Sequence, residues 1–326
     1  MEPPRSSAKL VTVFGGSGFI GRYVVQALAK RGHRIRVAVR RPDLAGHLHP
    51  LGTVGQIKPI QANLRYRWSI DRALEGADAV VNLVGILAQS GRQTFDAVQA
   101  FGPRAIGEAA SAAGISRIVH LSAIGADRPS TIGYLRSKAE GEAGILEAAP
   151  GAIIFRPSVV FGPEDDFFNR FAAMARLSPA LPLIGGGIAR FQPVYAGDVG
   201  EAVARAVNGD ARRATIYEIG GPEVLTFREC LERMLAVTGR RRALLSVPWG
   251  AARLMGRVGQ LLPGAPLTSD QVRMLRFDTI VSPEAIAEGR TLEGLGIQPT
   301  ALDIVLPTYL GRFRERGEFT RIRSAS

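Results

Sequence analysis

A glycine-rich loop between an apolar run and a helical segment is the feature that most constrains the fold of this sequence. The run Leu10–Phe14 leads directly into Gly15-Gly16-Ser17-Gly18-Phe19-Ile20-Gly21. Gly15, Gly18 and Gly21 form a G-x-x-G-x-x-G variant of the fingerprint in which a strand turns tightly into a helix and the backbone approaches a pyrophosphate. The helix then points unpaired N–H groups and its positive dipole end at the phosphates. The sequence therefore predicts a dinucleotide site here; glycines that merely turn the chain are the alternative.

Apolar runs and alanine-rich segments alternate through the first half of the chain. The predicted strands are Leu10–Phe14, Arg34–Val39, Ile57–Ile60, Ala79–Val84, Arg117–Leu121 and Ala152–Phe155, with helical segments between most of them. Such apolar, non-alternating strands are typical of a parallel sheet covered on both faces, so we predict an α/β fold with a Rossmann-type doubly wound parallel sheet. We assign residues 1–160 to this domain, with 190–220 returning to it. Residues 161–189 and 221–326 form a smaller, mostly helical C-terminal lobe with a basic tail.

The end of the second predicted strand indicates which dinucleotide is bound. A carboxylate about 20 residues after the glycine loop would bind the ribose 2′-hydroxyl of NAD. This sequence has Arg40 and Arg41 there, and its next acid is Asp43. Guanidinium groups pair with a 2′-phosphate in bidentate fashion, so the sequence favours NADPH. Two solvated arginines in an arginine-rich chain are the alternative interpretation.

Three further residues form a candidate catalytic set. Tyr134 and Lys138 are four residues apart, which stacks them on one face of a helix. A nearby ammonium would favour the phenolate and let Tyr134 act as a general acid or base. Ser122, just past the strand Arg117–Leu121, could hydrogen-bond the same oxygen. The Y-x-x-x-K pattern is weak alone, and its position between the fifth and sixth strands strengthens it.

Together with Arg156-Pro157-Ser158-Val159-Val160-Phe161-Gly162-Pro163, these motifs resemble the short-chain dehydrogenase/reductase superfamily, in its extended or atypical branch, over residues 10 to about 220. In that family the segment equivalent to Pro157–Val160 lies against the nicotinamide. Asn63 stands where relatives commonly have an acid near the adenine, which implies weaker adenine recognition. The resemblance implies a cofactor-binding set of Gly15, Ser17, Gly18, Phe19, Ile20, Gly21, Arg40, Arg41, Asn63, Val84, Gly85, Ser122, Tyr134, Lys138, Pro157 and Val159.

A narrower resemblance covers nearly the whole chain. Segments 137–142, 156–171, 190–199, 266–272 and 296–314 are similar to the NADPH-binding accessory subunit family of respiratory complex I and its bacterial relatives. This resemblance implies a tightly held NADPH, other complex I subunits as partners and no required turnover. It also implies a peripheral position near the membrane, on the cytoplasmic face of the inner membrane. The alternatives are a free NADP(H)-dependent reductase, epimerase or dehydratase that uses Tyr134 and Lys138, and a redox-sensing module.

Composition narrows the classes of protein to which this chain could belong. A single cysteine and four scattered histidines argue against a disulfide or a metal site, and no apolar run is long enough to span a membrane. Residues 1–9 lack the apolar core of a secretory signal. The net charge of +12 suits an anionic partner, but without a recognition motif we predict no nucleic-acid binding. Residues 248–262 form a basic amphipathic helix that could contact phospholipid, as could the basic tail; a helix packed on the core is the alternative.

Overall fold

The computed structural model describes residues 8–127, 129–259 and 268–315. Its strands are β1 Leu10–Phe14, β2 Arg34–Val39, β3 Ile57–Gln61, β4 Ala79–Asn82, β5 Arg117–Leu121, β6 Ile153–Pro157, β7 Val160–Phe161, β8 Ala180–Ile184, β9 Arg190–Phe191, β10 Val194–Tyr195, β11 Ile216–Ile219, β12 Leu225–Thr226 and β13 Ala243–Val247. Its α-helices are α1 Phe19–Lys30, α2 Arg67–Leu74, α3 Phe101–Ala112, α4 Gly133–Ala148, α5 Phe167–Leu177, α6 Ala196–Asn208, α7 Phe227–Thr238, α8 Trp249–Gly259, α9 Ser269–Met274, α10 Pro283–Ala287 and α11 Leu302–Leu310.

A seven-stranded parallel sheet organises the first of two structural units. This unit comprises the described residues up to Pro157 together with Ala196–Ile219 and Ser282–Gln298. Its strand order is β11-β6-β5-β4-β1-β2-β3. Crossovers carry the chain one way from β1 to β3 and the other way from β4 to β11, so the predicted doubly wound Rossmann-type sheet is confirmed. Pro59 lies in β3 at the edge of the sheet, where a missing N–H is tolerated.

Helices pack on this sheet in two groups. Buried side chains of α2, α3 and α4, among them Ile70, Ile106 and Ile145, share an apolar cluster with strand residues such as Val80 and Ile118. In the other group, α1 packs against α6, which also contacts β5 and β6. Gly200 of α6 lies so close to the backbone of Tyr23 in α1 that a Cβ would come within 2.8 Å of it. Small residues therefore set the close approach of these helices.

The second unit is smaller and mostly helical, and contains residues Ser158–Tyr195, Gly220–Val281 and those from Pro299 onward. Helices α5, α7 and α11 enclose an apolar core that includes Phe168, Phe227, Leu231 and Leu306. Three two-stranded sheets, β10-β7, β12-β9 and β13-β8, border this core. Thr226 begins α7 with a reciprocal capping box to Glu229.

The boundaries between the units differ from those assigned from the sequence. Residues 158–160 and 190–195 belong to the second unit, because β7 pairs with β10 and β9 pairs with β12. Ser282–Gln298 belongs to the first unit, although the sequence placed it in the C-terminal lobe. The reason is its pairing along β11, where the backbone N–H of Glu218 donates to Arg290 O at 3.0 Å and the N–H of Ser282 donates to the Glu218 carboxylate at 2.8 Å.

Candidate functional site

The candidate site lies at the carboxyl ends of the parallel strands in the first unit. β1 and β4 are neighbours in the sheet, but their crossovers lead to opposite sides. A crevice opens where strand order reverses in this way, and open α/β sheets bind ligands there. The loops after β1, β2, β4 and β5 bring many of the residues predicted from the sequence to this edge.

The glycine loop folds as its spacing predicts. Gly15 has a φ of +79°, a left-handed conformation that favours glycine, and its N–H donates to Ala38 O at 3.3 Å. The N–H of Gly18 donates back to Gly15 O at 3.1 Å and closes the turn. A Cβ on Gly21 would overlap the backbone of Gly15 and Gly16. The three glycines therefore supply a left-handed turn, a turn closure and a close helix–strand contact.

The first turn of α1 is suited to an anion. Gly18 is its N-cap, so no side chain caps the helix, and its first turn contains no acidic residue. Ser17, Phe19 and Ile20 are each partly exposed around this helix start. The unpaired N–H groups and the positive end of the dipole thus remain available to a pyrophosphate.

The side chains of Arg40 and Arg41 differ in the ion pairs and hydrogen bonds that they make. Arg41 is bound by Asp43, with its Nη2 2.7 Å from the carboxylate, and this pairing lowers the pKa of Asp43. Arg40 directly follows β2, is exposed, and makes no ion pair or side-chain hydrogen bond within the described part of the chain. Arg40 is therefore the guanidinium that is available to a 2′-phosphate.

Asn63 stabilises a local turn after β3. Its side-chain oxygen accepts the Arg65 N–H at 3.2 Å, and its own N–H donates to Ser69 Oγ at 2.8 Å. These contacts give Asn63 a structural role, so its contact with an adenine stays a prediction.

The loop after β4 lies against the candidate catalytic lysine. A Cβ on Gly15 would be 3.2 Å from Val84, and a Cβ on Gly85 would be 3.3 Å from Lys138 Nζ. Val84 and Gly85 therefore connect the glycine loop to α4. Asn82 supports this loop, because its side-chain oxygen accepts the Val84 N–H at 3.1 Å.

Ser122 and Lys138 meet at the end of β5. Lys138 Nζ is buried and donates to Leu121 O at 3.2 Å, which leaves other ammonium hydrogens for a ligand. Ser122 Oγ is buried and has no hydrogen-bond partner among the described residues. A buried hydroxyl without a partner is costly, and a ligand hydroxyl or amide would satisfy it. Together with the uncapped α1, these groups fit a dinucleotide.

Tyr134 stands one turn before Lys138 on α4, half-buried and edge-on to Phe95 at a centroid distance of 6.0 Å. Burial raises the pKa of Tyr134 to about 12, whereas burial lowers the pKa of Lys138 to about 8. The sequence led us to expect that the ammonium would favour the phenolate. Burial acts on the phenol in the opposite direction, and the expected effect of the ammonium stays a prediction.

Pro157 and Val159, the predicted nicotinamide contacts, belong to different units. Pro157 is the last residue of β6, and its carbonyl accepts the Ile124 N–H at 3.0 Å. Val159 belongs to the second unit, where its carbonyl accepts the Val194 N–H at 2.9 Å. Their contact with a cofactor stays a prediction.

Three buried polar residues around this site are outside the set of site residues predicted from the sequence. Asn82 Nδ2 lies 3.2 Å from His120 Nδ1, and both residues are fully buried. Burial and the nearby Lys138 lower the pKa of His120 to about 3. Gln99 accepts the Ile86 N–H at 2.8 Å and donates to Ser137 Oγ at 2.9 Å. A polar residue inside an apolar strand was the available signal for Asn82 and His120.

In the residues that the structure describes, no group of three or more His, Cys, Asp or Glu side chains could hold a metal ion. Cys230 is buried in the second unit, and burial raises the pKa of its thiol to about 12.

Comparison with known proteins places this geometry in context. Residues 11–220 match the model of the NAD dependent epimerase/dehydratase family. The chain is 33% identical over 323 residues to "NADH dehydrogenase (ubiquinone) 1 alpha subcomplex subunit 9, mitochondrial" of Arabidopsis thaliana, covering 95% of this chain and 79% of that protein. The protein of the same name from Rattus norvegicus is 33% identical over 312 residues, covering 94% and 81% respectively.

A solved structure shows the same fold. The UDP-glucose 4-epimerase of Thermus thermophilus, solved in complex with NAD, aligns with a TM-score of 0.68 at 21% identity, covering 94% of this chain and 99% of that one.

Proposed function

Because this chain belongs to the NAD dependent epimerase/dehydratase family and, within it, to the group of NADH dehydrogenase 1 alpha subcomplex subunit 9, we propose that it is an NADPH-binding accessory subunit of a respiratory NADH:quinone oxidoreductase. The observation that carries this proposal is the extent of the similarity. The family model ends at residue 220, whereas the alignments with the named subunits cover 94–95% of the chain. Substrate lobes vary among enzymes of this fold, so similarity that continues through this part favours the subunit.

The choice of NADPH is supported by the residues after β2. No acid stands ready for a ribose 2′-hydroxyl among the described residues there, and the one acid nearby, Asp43, is paired with Arg41. Arg40 is exposed and available to a 2′-phosphate. A bidentate guanidinium–phosphate pair is geometrically specific and strong.

A structural role for the cofactor is supported by the raised pKa of Tyr134. When bound, the nicotinamide of NADPH supplies hydride-transfer chemistry. The residues of this chain would bind the pyrophosphate at α1, the 2′-phosphate at Arg40 and the ribose at Lys138. Because the pKa of Tyr134 is raised to about 12, the phenol keeps its proton at neutral pH and is a weak general acid. The raised pKa of this phenol supports retention of the cofactor without turnover.

A peripheral membrane position is supported by α8. Among the described residues, no helix is long and apolar enough to cross a bilayer. α8 exposes Leu254 at 64% and Met255 at 42%, and the neighbouring Arg253 is also exposed. Exposed apolar side chains beside a cation suit the surface of an anionic membrane. Residues 260–262 of the predicted amphipathic helix, and Arg316, Arg321 and Arg323 of the basic tail, lie outside the described residues.

The proposal is tested by purifying the tagged chain from its native membranes in a mild detergent and identifying the co-purifying proteins by mass spectrometry. Recovery in a fixed ratio with NADH dehydrogenase subunits is the expected result. Recovery of the chain alone from the soluble fraction would contradict it.

A free reductase is the second candidate, because Ser122 and Lys138 converge at the end of β5 with Tyr134 one helical turn away. A Tyr134→Phe variant distinguishes the two. If the chain is an accessory subunit, the variant keeps NADPH bound and the complex active. If it is a reductase, the variant loses a substrate-dependent oxidation of NADPH.

A further inference from the structure

One buried side chain, Gln99, ties together the two segments that flank the candidate nicotinamide half of the site. It is 1% exposed and lies in a π-helical turn, Asp96–Ala100, directly before α3. Single π-helical turns are rare, and they are frequent at functional sites. Gln99 is far from both Arg40 and the glycine loop in sequence, and none of the roles assigned above uses it.

The backbone around Gln99 is arranged to bring it close to α4. Pro103 stands four residues later and has no N–H, so the usual helical hydrogen bond to Gln99 O is missing. That carbonyl instead faces Gly141 of α4, where any Cβ would overlap it. Gly107 and Gly144 continue the same close contact between α3 and α4, with added Cβ atoms at 3.0 Å and 2.9 Å from neighbouring side chains.

The hydrogen bonds of the Gln99 amide have only one consistent direction. The Ile86 N–H can only donate, so the atom 2.8 Å from it is the acceptor Oε1. Nε2 therefore donates to Ser137 Oγ at 2.9 Å, and the Ser137 hydroxyl donates to Tyr134 O at 2.8 Å. These two hydrogen bonds connect the Gln99 amide to the backbone of α4, the helix that carries Tyr134 and Lys138.

The two segments that Gln99 connects are those predicted to contact the cofactor. Ile86 directly follows Val84 and Gly85, and Gly85 lies against Lys138 Nζ. Ser137 directly precedes Lys138 on α4. The amide thus fixes the distance between the loop after β4 and the lysine. Asparagine, shorter by one methylene, could not span both Ile86 and Ser137.

We propose that Gln99 is a positioning residue that holds the loop 84–86 against α4, and thereby fixes the binding site for the nicotinamide-ribose half of NADPH. This inference rests on the proposed function for the cofactor. It adds one residue to the site and assigns the two halves of NADPH to different residues. Arg40 and the glycine loop bind the adenosine and phosphate half. Gln99 acts only on the other half, through Gly85 and Lys138.

The test compares two probes, NADPH and 2′,5′-ADP, which carries only the adenosine half with its 2′-phosphate. Dissociation constants are measured by titration calorimetry for the wild-type chain, Gln99→Asn and Gln99→Ala. Each variant is expected to weaken NADPH binding by about tenfold or more, because a buried N–H and a hydroxyl lose their partner. Binding of 2′,5′-ADP is expected to stay within about twofold of wild type, since its contacts lie on β1 and β2.

Matched variants separate this role from general destabilisation. Gln93→Asn makes the same change at a half-buried glutamine of the same connection, whose hydrogen bonds with Ser90 are made by its backbone, and it should leave both constants unchanged. Ser137→Ala removes the second partner and is expected to weaken NADPH alone, with little further loss when combined with Gln99→Ala. If the Gln99 variants do not fold, Ser137→Ala still tests the proposal.

Two results would overturn the proposal. One is an equal loss of NADPH and 2′,5′-ADP in the Gln99 or Ser137 variants, which is the signature of a purely structural residue. The other is unchanged NADPH binding. A wild-type chain that binds neither probe would instead contradict the proposed cofactor, so the two failures are distinguishable.

Discussion

At the residue scale, two adjacent arginines have different surroundings and should have different effects. Arg40 is exposed after β2, while Arg41 is bound to Asp43. We expect Arg40→Ala to weaken NADPH binding about 10- to 100-fold, because a charge-assisted hydrogen bond to phosphate contributes roughly 1.5–3 kcal/mol. NADH binding should be unchanged, since NADH has no 2′-phosphate. Fluorescence titration with both nucleotides measures the change in preference.

Arg41→Ala is the matched control for this prediction. Because the Arg41 guanidinium already pairs with Asp43, its removal should change NADPH affinity by less than Arg40→Ala does. A larger loss in Arg41→Ala than in Arg40→Ala would reverse the assignment. Equal binding of NADH and NADPH by the wild-type chain would remove the basis for both.

Lys138 gives the ligand-free chain a distinctive pH dependence. Its pKa is lowered from 10.5 to about 8 because the ammonium is buried. Between about pH 8 and pH 10 the unfolded chain keeps this proton and the folded chain releases it, so stability rises with pH. The gain is at most about 1.4 kcal/mol per pH unit. Below about pH 8 both states hold the proton and the contribution is constant.

Urea unfolding of the wild-type chain and Lys138→Met at several pH values isolates this effect. Other titrating groups contribute equally to both proteins, so the difference in unfolding free energy is the relevant quantity. Relative to the variant, the wild-type chain should become more stable from about pH 8 to about pH 10. A constant difference across this range would show that the ammonium is not disfavoured in the fold.

At the scale of elements, the sequence predicts helices and strands where a pattern is local. The six strands predicted in the first half are all present, and the glycine loop lies between β1 and α1 as predicted. The starts of helices are harder to place from the sequence, because first turns such as Gly133–Arg136 carry little apolar pattern. The π-helical turn before α3 could not be predicted, since it depends on contact with Gly141 of a helix about 40 residues later.

Non-local pairing explains the other differences between sequence and structure. Ser282–Gln298 joins the first unit through hydrogen bonds to β11, which no local pattern encodes. The pairing of Arg41 with Asp43 was within reach of the sequence, because the residues are two apart, whereas the orphaned hydroxyl of Ser122 required coordinates. The residue types at the site and a local ion pair were thus predictable, whereas the missing hydrogen-bond partner of the buried Ser122 hydroxyl was not.

The exposed side of α8 leads to a prediction about membranes. We expect the double variant Leu254→Ser, Met255→Ser to bind vesicles of phosphatidylcholine and phosphatidylglycerol about tenfold or more weakly than wild type, because burying one large apolar side chain contributes roughly 1.5–3 kcal/mol. Binding is measured by vesicle sedimentation at low and high salt. Because the attraction between Arg253 and the anionic lipid is screened by salt, binding to the vesicles should be weaker at high salt.

Leu177→Ser is the control, because Leu177 is equally apolar and 91% exposed but lies on α5. It should bind vesicles as the wild type does. If the α8 variant and the control bind alike, α8 does not contact lipid.

At the scale of the whole molecule, a cofactor held without turnover acts on stability. A ligand that binds only the folded state, at about 100 times its dissociation constant, adds about 2.7 kcal/mol to the free energy of unfolding. For a chain of this size we expect NADPH to raise the melting temperature by roughly 5 °C. This gain connects the site in the first unit to the amount of folded chain available for assembly.

Gly21→Ala tests that connection, because its Cβ would overlap the glycine loop and displace the pyrophosphate site. The variant should melt at the same temperature with and without NADPH, and less of it should co-purify with NADH dehydrogenase subunits. Gly46→Ala is the control, since a Cβ there meets no atom within 4 Å among the described residues. Normal assembly of a Gly21→Ala chain that does not bind NADPH would separate the cofactor from assembly and return the function of the nucleotide to chemistry at Lys138 and Tyr134.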